Sequence, residues 1–244
     1  MTRPVVLVVE HDAECPPAHF GTWLEDAGCD LDVRRPYAGD PVPALAAYDG
    51  LVVLGGPMGA NDDEQHHWLG PVKELVHEAR ATHLPTLGIC LGHQLVAAAL
   101  GGSVTRNPHG QQVGLLGVGW TEAARDDRLF APLSWPRRGV QWNDDLVVEL
   151  PSDATLLAET HRGEVQVVRY APLIWGVQLH PEVDVPVLLP WAAFDRGSHA
   201  TRGIDTDALL RDIDAARAEL DEAWRPLAEG FAALAAEHRE HVSR

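Results

Sequence analysis

A cysteine held between two glycines, Gly88-Ile89-Cys90-Leu91-Gly92, is the residue of this chain best placed for covalent chemistry. The apolar run Thr86 to Ile89 reads as a strand that stops at the thiol. Gln94 to Leu100, closed by Gly101-Gly102, reads as a helix behind it. Strand, sharp turn and helix, with the nucleophile at the turn, is the geometry of a nucleophile elbow with Cys in place of Ser. Glycine is expected beside such a turn because a neighbouring Cβ would clash. A helix start behind the sulfur directs positive dipole and free N–H groups at it, which favours the thiolate, the reactive form. The second candidate lies far downstream, in Trp175-Gly176-Val177-Gln178-Leu179-His180-Pro181-Glu182-Val183. His180 can serve as base to the thiol. Glu182 can hold its tautomer and stabilise the charged imidazole, as the acid of a triad does. Pro181 stiffens the link between them. Cys15 and Cys29 have no such context and are expected to be inert.

Gly-Ile-Cys-Leu-Gly-His-Gln at 88–94 and Gly-Val-Gln-Leu-His-Pro-Glu-Val at 176–183 resemble the two signatures of class I glutamine amidotransferases, and Leu54-Gly55-Gly56-Pro57 is similar to a third element of that family. The resemblance covers residues 3 to 190, in the family's order, and its flavour is that of the stand-alone, GMP-synthase-like group. It implies a Cys90–His180–Glu182 triad that releases ammonia from the side chain of glutamine through a γ-glutamyl thioester. The Gly56 N–H, and the Leu91 N–H just after the nucleophile, are the expected oxyanion donors. The family position of Gln94 holds the α-amino and carboxylate end of the substrate. Gly55, Trp142 and Asn143 are the other residues expected at the substrate. No metal and no organic cofactor is required by this chemistry.

One departure stands out. Where the family often shows Ser-His-x-Asp or Trp-His-x-Asp, this chain has Trp142-Asn143-Asp144-Asp145. The position lies outside the triad, so glutamine chemistry can survive the asparagine. The loop usually gives backbone contacts to the substrate and signals to a synthetase, so substrate and partner coupling are the properties it affects. The runner-up is a γ-glutamyl peptide or amide hydrolase with the same triad. A reading of another class is a non-catalytic amidotransferase-like regulator.

The elements that must position these residues are of α/β type. Val5 to Val9 is a continuous apolar run, read as a buried parallel strand. Further strands are expected at Leu31–Val33, Leu51–Leu54 and Thr86–Ile89, with helices at Thr22–Ala27 and, largely, Glu64–Ala81. Such alternation implies a parallel sheet with active groups at the carboxyl ends of its strands. From Val113 to Val177 the pattern turns β-rich: Val113–Gly119, Val147–Leu150, Val165–Val168 and Leu173–Val177. Residues 184 to 204, with Pro186, Pro190, Gly197 and Gly203, have the composition of a connection. From Thr206 a helical stripe runs through Leu209, Ile213, Leu220, Trp224, Leu227, Phe231 and Leu234. Pro226 and Gly230 predict a kink or two helices. The expected fold is a mostly parallel, flavodoxin-like open sheet with flanking helices. Residues 1–190 form the amidotransferase domain, and 191–244 a helical extension packed on it.

Composition narrows the partners. The 244 residues carry 36 acidic and 19 basic side chains, for a net charge of −17. Such a surface repels phosphate backbones and anionic membranes, which argues against nucleic acid and membrane partners. No apolar run reaches the roughly 18 residues of a membrane helix. Three cysteines cannot all pair, and the chain starts without a secretory pattern; both fit the cytoplasm. Thirteen histidines invite a metal, but no ligand quartet has the spacing. The sequence contains no P-loop, so any user of the ammonia is a separate chain. A small-molecule substrate, an ammonia-accepting synthetase and a second copy of the chain are the partners left.

Overall fold

The computed structural model of the protein describes residues 3–242; Met1, Thr2, Ser243 and Arg244, at the ends of the two expected segments, lie outside the described residues. The first half alternates as expected. It runs β1 (Val5–Val9), α1 (Ala18–Asp26), β2 (Asp30–Arg34), β3 (Gly50–Val53), α2 (Leu69–Thr82), β4 (Thr86–Ile89) and α3 (Leu91–Ala99). The second half begins with strands: β5 (Ser103–Arg106), β6 (Gln112–Gly117), β7 (Gly119–Trp120), β8 (Arg138–Asn143), β9 (Asp145–Glu149), β10 (Thr155–Glu159), β11 (Val165–Ala171) and β12 (Ile174–Val177). Three helices follow: α4 (Val185–Thr201), α5 (Thr206–Ala215) and α6 (Arg217–Val242).

The main sheet has the order β2-β1-β3-β4-β12-β11-β10-β7. Its first five strands are parallel, and β11, β10 and β7 extend it antiparallel. With β12 counted as a fifth strand, the parallel part has the flavodoxin order. Both faces of β1 are covered. Val6 and Val8 join a core with Phe20, Trp23, Trp224 and Phe231, and Leu7 and Val9 join one with Val72, Val76, Leu91 and Leu95. That double burial is why the strand reads as an unbroken apolar run. β3, β4 and β12 are neighbours, with Val53 opposite Gly88 and Val177 opposite Ile89. The chain leaving their carboxyl ends carries Gly55, Cys90 and His180. The topology thus delivers three distant sequence motifs to one edge.

Several expectations need correction. The span Val113–Gly119 is two strands in two sheets, since β6 pairs with β8 and β7 with β10. β5, β8 and β10 were not foreseen. Residues 184 to 204 are mostly helix. Asp184 caps α4 by accepting from the Val187 N–H at 3.1 Å, and Pro186 occupies the first turn, where no N–H is needed. Residue 190 therefore lies inside α4. α2 begins only at Leu69, which places Pro71 in its first turn. The C-terminal stripe does break into two helices, but at Ala216; α6 continues through Pro226 and Gly230. Burial of Leu220, Trp224, Leu227 and Phe231 against the sheet outweighs the local proline penalty. Among the described residues no helix is long and apolar enough to cross a membrane.

Candidate active site

Cys90 sits where β4 gives way to α3, at φ 51° and ψ −107°. A side chain at positive φ is strained by about 1–3 kcal/mol and persists only where its surroundings enforce it. Here they do. The Cys90 N–H donates to the Val177 carbonyl at 2.8 Å, and its carbonyl accepts from Gln94 N at 3.1 Å. Gly92, in the first turn of α3, lies against the Val53 carbonyl so closely that a Cβ there would overlap the oxygen. α3 is therefore seated directly on the end of β3, with its free N–H groups beneath the sulfur.

His180 and Glu182 form a tight pair. His180 Nδ1 and Glu182 Oε1 are 2.6 Å apart, and both residues are 3% exposed. The His180 backbone N–H donates to the Val140 carbonyl at 2.8 Å, which ties the histidine to β8. With Nδ1 on the carboxylate, His180 Nε2 is left buried and without a hydrogen-bond partner. Gly55 stands beside both reactive groups: a Cβ there would meet His180 Cε1 at 3.1 Å and Cys90 Cβ at 3.7 Å. Burial opposes charge on the imidazole, but Glu182 and then Cys90 outweigh it and hold its pKa well above the ordinary histidine range.

Two elements roof this pair. The Trp191 ring of α4 lies 5.0 Å from the His180 ring, and its indole N–H donates to the Glu14 carbonyl at 2.9 Å. His19 reaches the same segment, with its N–H on the Glu182 carbonyl (3.1 Å) and its ring on Asp184 (3.1 Å). The loop after β1 and helix α4 thus close over the histidine and exclude water from it.

The remaining expected residues are all nearby, in different settings. Gln94 is buried in α3. Its Nε2 donates to the Asp145 carbonyl (3.0 Å) and to Gln178 Oε1 (3.2 Å). What Gln94 can still offer a ligand is its carboxamide oxygen, an acceptor. Asn143 is also buried, with Nδ2 on Gln112 Oε1 (3.2 Å) and the Asp145 carbonyl (3.1 Å). Trp142 points to the other side of β8. Its N–H donates to Asp195 at 2.7 Å, and its ring packs on Trp191 and His199. Gly56 is wedged between His11 and Leu91: a Cβ there would lie 3.0 Å from both His11 Cβ and Leu91 Cδ2. Among the described residues no group of three His, Cys, Asp or Glu is placed to hold a metal ion.

Sequence reasoning missed His11. It is fully buried, and its Nδ1 accepts from the Trp68 N–H at 3.1 Å. Burial, helped by His66, pushes its pKa down to about 3, so it stays neutral against the Gly55-Gly56 turn. The available signal was a polar pair, Glu10-His11, directly after a buried parallel strand, where such sheets place their ligand-facing groups.

The three thiols differ in setting, and this gives a first prediction. Burial, then the nearby Cys90, Asp12, Glu182 and Glu14, push the Cys15 thiol far up. Burial pushes Cys29 up to about 11, with Asp30 and Asp49 adding to it and Arg3 opposing. Neither forms a thiolate near neutrality. A glutamine-like diazo ketone used below stoichiometry should therefore label Cys90 at least about tenfold over either. Peptide mapping reads the ratio, and label spread evenly over the three would refute the activated thiol.

Comparison with known proteins identifies the family. The family model "Glutamine amidotransferase class-I" matches residues 22–186. The chain belongs to that family. Over 185 residues it is 32% identical to the glutamine amidotransferase-like protein YfeJ of Salmonella typhimurium, covering 74% of this chain and 76% of that one. It is 35% identical to a glutamine-hydrolyzing GMP synthase subunit of Saccharolobus solfataricus, covering 64% of this chain and 78% of that one. It is 31% identical to gamma-glutamyl peptidase 5 of Arabidopsis thaliana, over 59% of this chain and 57% of the plant protein. Among solved structures, a Thermotoga maritima glutamine amidotransferase superposes with a TM-score of 0.84 at 26% identity, covering 95% of this chain and 99% of that one.

Proposed function

We propose that this amidotransferase hydrolyses the γ-carboxamide of glutamine to glutamate and ammonia through a Cys90–His180–Glu182 triad. The observation that carries it is the dry 2.6 Å contact between His180 Nδ1 and Glu182 Oε1, which leaves Nε2 unpartnered beside the elbow. Nε2 takes the Cys90 thiol proton before the attack, giving an imidazolium–thiolate pair whose sulfur then attacks the γ-carbon. The oxyanion is held by the Gly56 and Leu91 N–H groups. His180 returns the proton to the departing nitrogen, which leaves as ammonia, and a γ-glutamyl thioester remains. Water, deprotonated by His180, then cleaves the thioester; glutamate departs and the thiol is restored. Gln94 meets the substrate with its acceptor oxygen, which suits the α-ammonium rather than the α-carboxylate. Gly55 leaves room beside the two reactive groups, while Asn143 and Trp142 support the site from behind, the first through the Asp145 carbonyl that anchors Gln94 and the second through Trp191.

A second reading has its own support in the likeness to a γ-glutamyl peptidase. There the same thioester forms, and an amine or peptide leaves in place of ammonia. The likeness to a glutamine-hydrolyzing GMP synthase subunit favours a separate ammonia-accepting synthetase as partner. Against dependence on such a partner, Asn143 occupies the position where the family's coupling loop carries histidine, and its amide is fixed internally. We therefore infer an enzyme that works without a docked synthetase, in a reducing compartment suited to three free cysteines. The test is steady-state kinetics of the purified protein on glutamine and on a γ-glutamyl dipeptide. The expected result is turnover of about 1 s⁻¹ or more on one of them with nothing added. Preference for the dipeptide promotes the second reading. Background rates on both, restored by a cell extract, would sink autonomy.

A further inference from the structure

Gln178, the residue directly after β12, is fully buried, and its side chain turns toward the elbow. Its Nε2 lies 3.6 Å from Cys90 Sγ, within hydrogen-bond reach of a sulfur acceptor. The other end of the same carboxamide fixes which atom faces the sulfur. Gln94 Nε2 donates to Gln178 Oε1, and Gln94 is itself anchored on the Asp145 carbonyl. An amide gripped by its oxygen must present its NH₂ group to the thiol. The grip extends further back. The Asp145 carbonyl also receives Asn143 Nδ2, and Gln112 Oε1 receives Asn143 Nδ2 and Gln166 Nε2. The chain ends where Gln112 Nε2 meets the carboxylate of Glu164 at 2.6 Å.

The charges around the sulfur give this neutral donor its importance. Glu182, in the segment after β12, is paired with His180, and Cys15, which Cys90, Asp12, Glu182 and Glu14 all influence, lies with Asp12 and Glu14 in the loop after β1. His180 is the cation on that side. On α3, His93 is turned away onto the Tyr170 hydroxyl at 3.1 Å, and Gly55 and Gly56 bring no side chain. Hydrogen bonds to an ionised acceptor are roughly twice as strong as neutral ones.

We propose that Gln178 is a catalytic residue whose Nε2–H donates to Cys90 Sγ and stabilises its thiolate form, with Gln94 as the residue that positions it. This rests on reading Cys90 as the nucleophile. The donor remains in place through attack and is available again when the thioester is cleaved and the sulfur leaves as an anion. It thus assists both halves of the reaction without transferring a proton itself.

The experiment follows alkylation of Cys90 by iodoacetamide from about pH 5 to about pH 10, with peptide mass spectrometry, in the wild type, Gln178→Met, Gln178→Glu and Gln94→Leu. Gln178→Met keeps the bulk and removes the donor. Its Cys90 should react about tenfold more slowly near pH 6.5 and at the wild-type rate near pH 10, above the ordinary range of thiols, where a donor no longer matters. Gln178→Glu aims a carboxylate at the sulfur and should lose more at pH 6.5. Gln94→Leu leaves Gln178 in place but ungripped and should fall between wild type and Gln178→Met, which keeps the test alive if a Gln178 variant does not fold. Superimposable profiles would overturn the proposal. So would an equal slowing at every pH, which reports access to the thiol and not its charge. No substrate turnover is read. An enzyme that prefers a γ-glutamyl peptide therefore leaves this result standing, and a failure here leaves the triad standing.

Discussion

His180→Ala lowers turnover by about a thousandfold or more, because the imidazole is the proton carrier in both halves of the reaction. The same change has a second effect, on stability. Glu182 is 3% exposed, and without His180 its Oε1 loses a 2.6 Å partner in a dry site. A buried charge stripped of its partner costs about 3–5 kcal/mol. His180→Asn separates the two effects: an amide can still donate to Glu182, so the fold is kept and the activity is not. Glu182→Gln should be milder, since a neutral hydrogen-bond partner preserves part of the orientation. Urea unfolding beside steady-state rates distinguishes these outcomes. Turnover of wild-type magnitude in His180→Asn would remove the histidine from the mechanism. Glu182→Gln as inactive as His180→Ala would mean the carboxylate does more than orient.

Gly92→Ala should be the most damaging single methyl group in the molecule. The new Cβ would overlap the Val53 carbonyl oxygen and stand 2.6 Å from its carbon, and backbone at the centre of a parallel sheet cannot retreat. The expected loss is above about 4 kcal/mol, the range in which a domain of this size stops accumulating as a folded species. Gly197→Ala is the matched control. Gly197 lies in α4, and a Cβ there meets nothing within 4 Å, so the helix should gain up to about 1 kcal/mol. Denaturant midpoints measured side by side decide it. A Gly92→Ala midpoint close to wild type would mean that α3 is not seated on β3 as described.

The parallel half of the sheet was readable because its strands are apolar on both faces. Val5 to Val9 and Thr86 to Ile89 needed no partner to be recognised. β8 was hidden for the opposite reason. Gln141 and Asn143 face buried amides of Gln112 and Gln166, so polar residues occupy positions that periodicity assigns to solvent. α4 was hidden by Pro186 and Pro190, whose meaning changes once Asp184 is seen as a cap. Cys90, His180 and Glu182 could be named in advance because each stands in a short motif with a local mechanism. Gln178 stands in one of those motifs too, yet its contact to the sulfur is set by Gln94 on another element. His11 and Trp191 belong to no motif; only the closure of loop and helix over the site brings them there.

That closure bears on how such a chain can be divided. Trp191 is the ceiling over His180, and it belongs to a helix that begins at Val185, past the last signature residue. A chain ended after residue 190 would retain every motif by which the family is recognised. It would nonetheless open the imidazole to bulk solvent, and the histidine's affinity for its proton would relax toward that of a free side chain. A minimal unit defined by signatures and a minimal unit defined by dielectric are therefore different lengths of polypeptide. In this protein the second includes α4.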